Sequence, residues 1–106
     1  MSDDCQIDIP RSFIELYLAP GSVRPNQSRT VIASRYELCE DMAQMLVDHA
    51  RAKLFELGVT EHDVLERTHR GLLVEGSTFS ADEANWLVRR LAELLGWPRL
   101  IEQHPD

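Results

Sequence analysis

One run of apolar residues, recurring every three or four positions between Arg29 and Leu57, constrains the fold of this chain more than any other feature. The spacing matches the period of an α-helix and lacks the strict alternation of a half-buried strand. Its members are Ile32, Tyr36, Cys39, Ala43, Leu46, Ala50, Leu54 and Leu57. The pattern predicts one long helix from about Arg29 to Leu57, ended by Gly58 because glycine readily takes a positive φ.

A second apolar row widens the stripe on the same predicted helix. It consists of Val31, Leu38, Met42 and Met45. A stripe this wide indicates contact with more than one partner element. The helix would be about 43 Å long, longer than the other helices that the chain predicts. We therefore expect part of its apolar surface to be covered by a second copy of the chain.

A short helix is predicted near the N-terminus, followed by a loop. Pro10 is suited to the first turn of such a helix, where its missing N–H is not needed. Residues 13–18 contain a patch of apolar side chains that must be buried somewhere. Residues 19–28 contain two prolines and a glycine with little apolar content, which is typical of a loop.

Two mid-length helices are predicted from their capping residues. Thr60 begins the first, which should extend to about Val74 with Gly71 inside it, and this glycine implies either a bend or a close approach of another backbone. Ser80 begins the second, where it forms a full capping box with Glu83. No alternating strand pattern occurs, so the sequence predicts an all-α fold, a small bundle with one long central helix.

Length and composition fit one small domain. The chain has 106 residues, of which 43% are hydrophobic and 27% charged, and such a length can hold one core without a disulfide. We predict a disordered acidic tail at residues 1–8, a helical domain at residues 9–98 and a C-terminal tail at residues 99–106. No apolar run is long enough to span a membrane. The two cysteines, Cys5 and Cys39, form no pair motif, which favours the reducing cytoplasm.

The charge argues against a nucleic-acid partner. The net charge is −7, and the acidic excess extends along the whole chain, whereas nucleic-acid binding requires a positive face. A helix-turn-helix pattern around Gly58 keeps a DNA-binding regulator as an alternative. It matches only in part, because Leu54 and Arg67 occupy positions that need a small and an apolar residue. Its second helix carries Glu61, Asp63 and Glu66, which would repel phosphates.

The only candidate metal ligands with a suitable spacing are His62, Glu66 and His69. They lie four and then three residues apart on one face of the predicted third helix. A Glu-x-x-His unit is used twice by di-iron helical bundles, but it occurs once here. We therefore predict no metal and no other cofactor. A metal-binding helical protein is retained as the least favoured alternative.

The sequence contains no arrangement typical of an enzyme. Cys39 falls on the apolar row of the long helix, where a free cysteine is usually a small core residue. His49 lies about 15 Å further along the same helix, too far to act as its base. The chain lacks a phosphate-binding glycine loop. We predict a non-enzymatic cytoplasmic protein that acts as an interaction or adaptor protein.

Two apolar terminal segments are the candidate partner-binding residues. They consist of Phe13, Ile14, Tyr17 and Leu18 near the N-terminus and of Trp97, Leu100 and Ile101 near the C-terminus. Each segment either folds back onto the bundle or forms an exposed docking patch. In the second case the partner would be another protein or a second copy of this chain in a homodimer.

Three stretches resemble a family of small, uncharacterised proteobacterial proteins. They run from Arg35-Tyr36-Glu37-Leu38-Cys39 to Ala43, from Asp63-Val64-Leu65-Glu66-Arg67 to Leu72, and from Arg89-Arg90-Leu91 to Trp97-Pro98. The resemblance covers residues 9–98 and supplies no functional residues. Some members of that family are described as related to chaperone ATPases. Because this chain lacks a phosphate-binding loop, the resemblance implies association with such a machine and not ATPase activity.

Overall fold

A computed structural model confirms the predicted all-α architecture. It describes residues 8–19, 21–22 and 24–98; apart from Asp8, the predicted terminal tails lie outside this part of the chain. The helices are α1 (Arg11–Ile14), followed by a 3-10 turn (Glu15–Tyr17), then α2 (Arg29–Leu57), α3 (Glu61–Leu72) and α4 (Ala81–Leu95). The described residues contain no β-strand, only an isolated bridge between Leu18 and Pro25. None of their helices is long and apolar enough to cross a membrane.

The long helix α2 has the predicted bounds. Gly58 ends it as predicted, and Ser28, which was not among the predicted caps, begins it. At its start the Ser28 hydroxyl accepts a hydrogen bond from the Val31 N–H at 3.2 Å. At its end Gly58 adopts a φ of 64° and donates its N–H to the Leu54 carbonyl at 3.1 Å. A left-handed residue of this kind satisfies the carbonyls that a helix C-terminus leaves open. The sequence therefore determines the length of α2 locally.

The two mid-length helices also begin at the predicted caps. Thr60 accepts the Asp63 N–H at 3.0 Å, and Ser80 and Glu83 form the reciprocal capping box. Helix α3 ends at Leu72, two residues before the expected end. Another backbone does not approach Gly71, because a Cβ placed there would meet no atom within 4 Å. The predicted alternative of close packing at this glycine is therefore wrong.

The core forms mainly between α2 and α4 and consists of two clusters. The first joins α1, α2 and α4 around the fully buried Phe13. The Phe13 ring meets the Trp86 ring edge-on, with the centroids 5.0 Å apart. The second cluster joins α2, α3 and α4 and includes Ala50, Leu65 and Leu91. The short N-terminal segment is thus a structural part of the bundle, and the Trp86 Nε1–H donates to the Ser12 hydroxyl at 2.9 Å.

Candidate functional site

The predicted metal candidates are not brought together by the fold. His62 and Glu66 are exposed on α3, and Glu66 forms only a 4.0 Å ion pair with Arg70. The ring Nε2 of His69 is bonded instead to the Asn85 Oδ1 on α4, at 2.5 Å. Within the described residues no group of three or more His, Cys, Asp or Glu side chains could hold a metal ion. The arrangement is therefore that of surface polar residues.

The N-terminal docking candidates pack onto the bundle. Phe13 has no exposed surface, so it cannot contact a partner, and the fold-back alternative holds for this residue. Ile14 and Tyr17 are half-buried and pack against the first core cluster. Leu18 is also half-buried. The contact between Phe13 of α1 and Trp86 of α4 thus anchors this segment on the first core cluster.

The C-terminal docking candidates are described only in part. Trp97 is half-buried and packs against the second core cluster. The backbone N–H of Trp97 donates to the Ala92 carbonyl at 3.0 Å and so satisfies a carbonyl at the end of α4. Leu100 and Ile101 lie outside the described residues. The described portion of this segment thus folds back onto the bundle.

A buried ionic network forms where Arg35 of α2 meets Glu83 of α4. The Arg35 guanidinium donates to both Glu83 oxygens, at 2.9 Å and 2.6 Å. The Tyr17 hydroxyl donates to the same carboxylate at 2.5 Å. Burial opposes ionisation of Glu83, but hydrogen bonds from Arg35, Tyr17 and the Ser80 N–H outweigh this effect and lower its pKa to about 2. Its oxygens are already occupied, so Glu83 is a structural anion and not a proton carrier.

This network could not be predicted from the sequence, because its members are far apart in the chain. Glu83 is identifiable from the sequence as a capping residue, but capping alone predicts a surface position. In the structure Glu83 is only 4% exposed. Burial of Tyr17, together with its hydrogen bond to Glu83, raises the pKa of the Tyr17 hydroxyl. The capping residue Glu83 therefore has a second role, as the partner of Arg35 between two helices, which only the tertiary fold reveals.

A second interhelical ion pair joins Arg90 and Glu40. The Arg90 guanidinium donates to the Glu40 carboxylate through Nε at 2.9 Å and Nη2 at 3.0 Å. These hydrogen bonds lower the pKa of Glu40, although the burial of Glu40 has the opposite effect on that pKa. Arg90 is thus tied between α4 and α2, whereas the neighbouring Arg89 is exposed.

Cys39 is a core residue, as its position on the apolar row predicts. The residue has no exposed surface, and its thiol forms no disulfide. Burial raises the pKa of the Cys39 thiol to about 12. The thiolate is the nucleophilic form of cysteine, and this pKa keeps Cys39 protonated near neutral pH. The side chain therefore fills space in the first core cluster.

The two most exposed large apolar side chains in the described part of the chain, Phe55 and Met45, lie on the outer face of α2. We call Val31, Leu38, Met45 and Phe55 the outer row; their exposed fractions are 41%, 37%, 71% and 89%. The first three are seven residues apart and therefore form nearly one line along the helix. Met42, the other member of the second apolar row, packs against the core instead. The first apolar row faces the bundle, and most of the second does not.

Acidic side chains accompany the outer row. Asp41 and Asp48 follow Leu38 and Met45 by three residues each, and Glu37 precedes Leu38; all three are exposed. None of these carboxylates has an ion-pair partner among the described residues. The outer face of α2 thus combines exposed apolar groups with uncompensated negative charge.

Comparisons of the chain with protein-family models, curated proteins and solved structures gave no match. The resemblance to the proteobacterial family is therefore neither supported nor contradicted, and association with a chaperone ATPase stays a prediction. The outer face of α2 remains the strongest candidate site, on the basis of its geometry and charge.

Proposed function

We propose that this chain is a small, non-enzymatic cytoplasmic interaction protein that binds a basic amphipathic helix of another protein along the outer row of α2. The observation that carries this proposal is the exposure of Met45 and Phe55, which are 71% and 89% accessible. Large apolar groups grouped on one face are typical of interaction sites, whereas isolated ones need no explanation. The line from Val31 to Met45 covers about half of the longest helix, and Phe55, ten residues further on, lies about 80° around the helix from that line.

The charge beside the outer row favours a basic partner over a second copy. Glu37, Asp41 and Asp48 are exposed, and the whole chain carries −7. Two copies of this face would bring like charges together, which opposes association. A partner with Lys or Arg on either side of its apolar residues would instead pair with these carboxylates. The homodimer considered from the sequence is therefore the less favoured occupant.

The spacing of the outer row favours a helical partner. Val31 and Met45 are about 21 Å apart along the helix axis, a length that four turns of a second helix would cover. Side chains repeated every seven residues form the seam of paired helices, and a partner helix would contribute its own apolar side chains at such a spacing. The binding energy would come from apolar contact, and the acidic residues would set orientation and selectivity.

The test uses a synthetic helical peptide with leucines at seven-residue spacing and lysines and arginines beside them. Fluorescence anisotropy should show that the labelled peptide binds the full chain and that a version with glutamates in place of its basic residues does not. The variant with Met45→Ser and Phe55→Ser should bind the basic peptide at least about tenfold more weakly, because central apolar contacts dominate interface energies.

A matched variant controls for the loss of apolar surface itself. Leu73 and Val74, 44% and 59% exposed, lie after α3 and outside the outer row. Leu73→Ser with Val74→Ser should leave peptide affinity unchanged. Equal weakening by both variants, or equal binding of the acidic peptide, contradicts the proposal. A dimer seen by light scattering that the Met45→Ser and Phe55→Ser variant dissociates would identify the second copy as the occupant instead.

A further inference from the structure

A groove between α2 and α3 gathers basic side chains in an otherwise acidic protein. It has a volume of about 360 Å³ and is lined by His49, Lys53, Leu57, Val64, Arg67 and Thr68. None of these six residues is acidic, although the chain contains 18 acidic and 11 basic residues. Two cations and a histidine line one concave surface, and groups of this kind attract anions.

The charged groups of this groove are not committed elsewhere in the described part of the chain. Arg67 is exposed and forms no ion pair there. Lys53 makes only a loose contact with Glu56, at 3.8 Å, and the two side chains are 44% and 61% exposed. An exposed pair of this kind contributes little to stability, so Lys53 can turn to a ligand. Arg90 differs, because both Glu40 and Glu93 occupy its guanidinium.

The remaining lining residues limit the kind of ligand. Leu57 and Val64 provide apolar surface beside the charges. The Thr68 hydroxyl already donates to the Val64 carbonyl at 2.9 Å, so it does not offer that hydrogen to an anion. The recognition of an anion would therefore depend on Lys53, Arg67 and His49. An arginine presents a planar fork to carboxylate or phosphate oxygens, and a lysine adds a mobile point charge.

We propose that the groove between α2 and α3 binds a small organic anion, in which a phosphate or carboxylate group contacts Lys53 and Arg67 and a short apolar part packs on Leu57 and Val64. The volume of the groove lies within the range of small-molecule sites. The groove lies where α2 faces α3, and it borders the outer row, because His49 follows Met45 by one helical turn. It does not depend on the proposed protein interaction.

The test follows backbone amide resonances of the full chain by NMR while a probe is added. Phenyl phosphate and phenylacetate should each shift the resonances of the groove residues, and neutral benzyl alcohol at the same concentration should not. Inorganic phosphate should bind more weakly than phenyl phosphate, because it lacks the apolar part. Equal response to benzyl alcohol, or no response of the groove residues to either anion, overturns the proposal.

Two charge-matched double variants distinguish binding in the groove from attraction of the anion by the net charge of the protein. Lys53→Gln with Arg67→Gln should weaken phenyl phosphate binding by about tenfold, which is the combined effect of two partly exposed charge contacts. Arg51→Gln with Arg89→Gln removes the same charge from exposed positions outside the groove and should leave the affinity unchanged. Equal weakening by both variants would show that only net charge attracts the anion and would overturn the proposed site.

Discussion

The guanidinium of Arg35 on α2 holds both oxygens of Glu83 on α4, at 2.9 Å and 2.6 Å. The same carboxylate closes the capping box of α4 by accepting the Ser80 N–H at 3.0 Å. It also accepts a hydrogen bond from the hydroxyl of Tyr17, which lies in the 3-10 turn after α1. One side chain therefore connects the N-terminal segment, the long helix and the start of the last helix. Removing one member of such a buried pair leaves the other charge uncompensated.

We expect Glu83 to make folding stability depend on pH in the acidic range. Its folded-state pKa is about 2, below the value of about 4.3 in an unfolded chain. A lowered pKa means that the stabilisation is complete above the unfolded value and is lost as the pH falls from about 4.3 towards 2. The contribution is on the order of 3 kcal/mol, measurable by urea unfolding between pH 7 and pH 2.

The variant Glu83→Gln should be less stable than the unmodified chain at pH 7 by a similar amount. Its free energy of unfolding should also change less between pH 7 and pH 2. Glu37→Gln is the matched control, because Glu37 is exposed on α2 and lies outside the network. The control should follow the pH profile of the unmodified chain. A Glu83→Gln profile parallel to that of the unmodified chain would contradict the assignment of this titration to Glu83.

The Glu40–Arg90 pair should contribute measurably to stability, unlike the more exposed pair on α1. The side chains of Glu40 and Arg90 are 17% and 33% exposed, whereas those of Arg11 and Glu15 are 87% and 55% exposed. A double-mutant cycle with Glu40→Gln and Arg90→Gln should give a coupling of about 1 kcal/mol, against about 0.3 kcal/mol for Arg11→Gln and Glu15→Gln. Equal coupling in the two cycles would mean that burial does not strengthen the Glu40–Arg90 pair.

The sequence predicted those parts of the fold that depend on local chemistry. Gly58 predicted the end of α2, and the Ser28 cap seen in the structure explains its start; both act within one helical turn. The buried ion pairs could not be predicted, because Arg35 and Glu83 are 48 residues apart and no local pattern relates them. The outer row was visible as a second apolar stripe, but its exposure depends on which face of α2 the other helices cover. The basic groove likewise arises only when α3 packs beside α2.

The placement of Phe13 in the core predicts a large loss of stability when its ring is removed. Phe13 has no exposed surface, whereas Phe55 is 89% exposed. Phe13→Ala should lower the free energy of unfolding by about 3 to 5 kcal/mol, because it leaves a cavity between α1, α2 and α4. Phe55→Ala should change the same quantity by less than about 0.5 kcal/mol. Urea unfolding of both variants checks the comparison, and similar losses would place Phe13 outside the core.

Cys39 should react with thiol reagents only when the chain unfolds. Its pKa of about 12 leaves very little thiolate at pH 8, and the residue has no exposed surface. In a Cys5→Ser variant, which leaves Cys39 as the only thiol, a disulfide reagent at pH 8 should react slowly without denaturant and rapidly in concentrated urea. Fast reaction of the folded protein would show that the thiol is accessible or ionised.

Two glycines, Gly58 after the end of α2 and Gly71 within α3, should respond in opposite directions to the same substitution. Gly71 lies within α3, takes no positive φ, and has open space where a Cβ would be. Gly71→Ala should therefore stabilise the chain by about 0.5 to 1 kcal/mol, because alanine favours the helix and restricts the unfolded chain. Gly58 has a φ of 64°, where a side chain costs about 1 kcal/mol, so Gly58→Ala should destabilise it. Thermal unfolding measures both effects; destabilisation by Gly71→Ala would indicate that another backbone approaches this glycine after all.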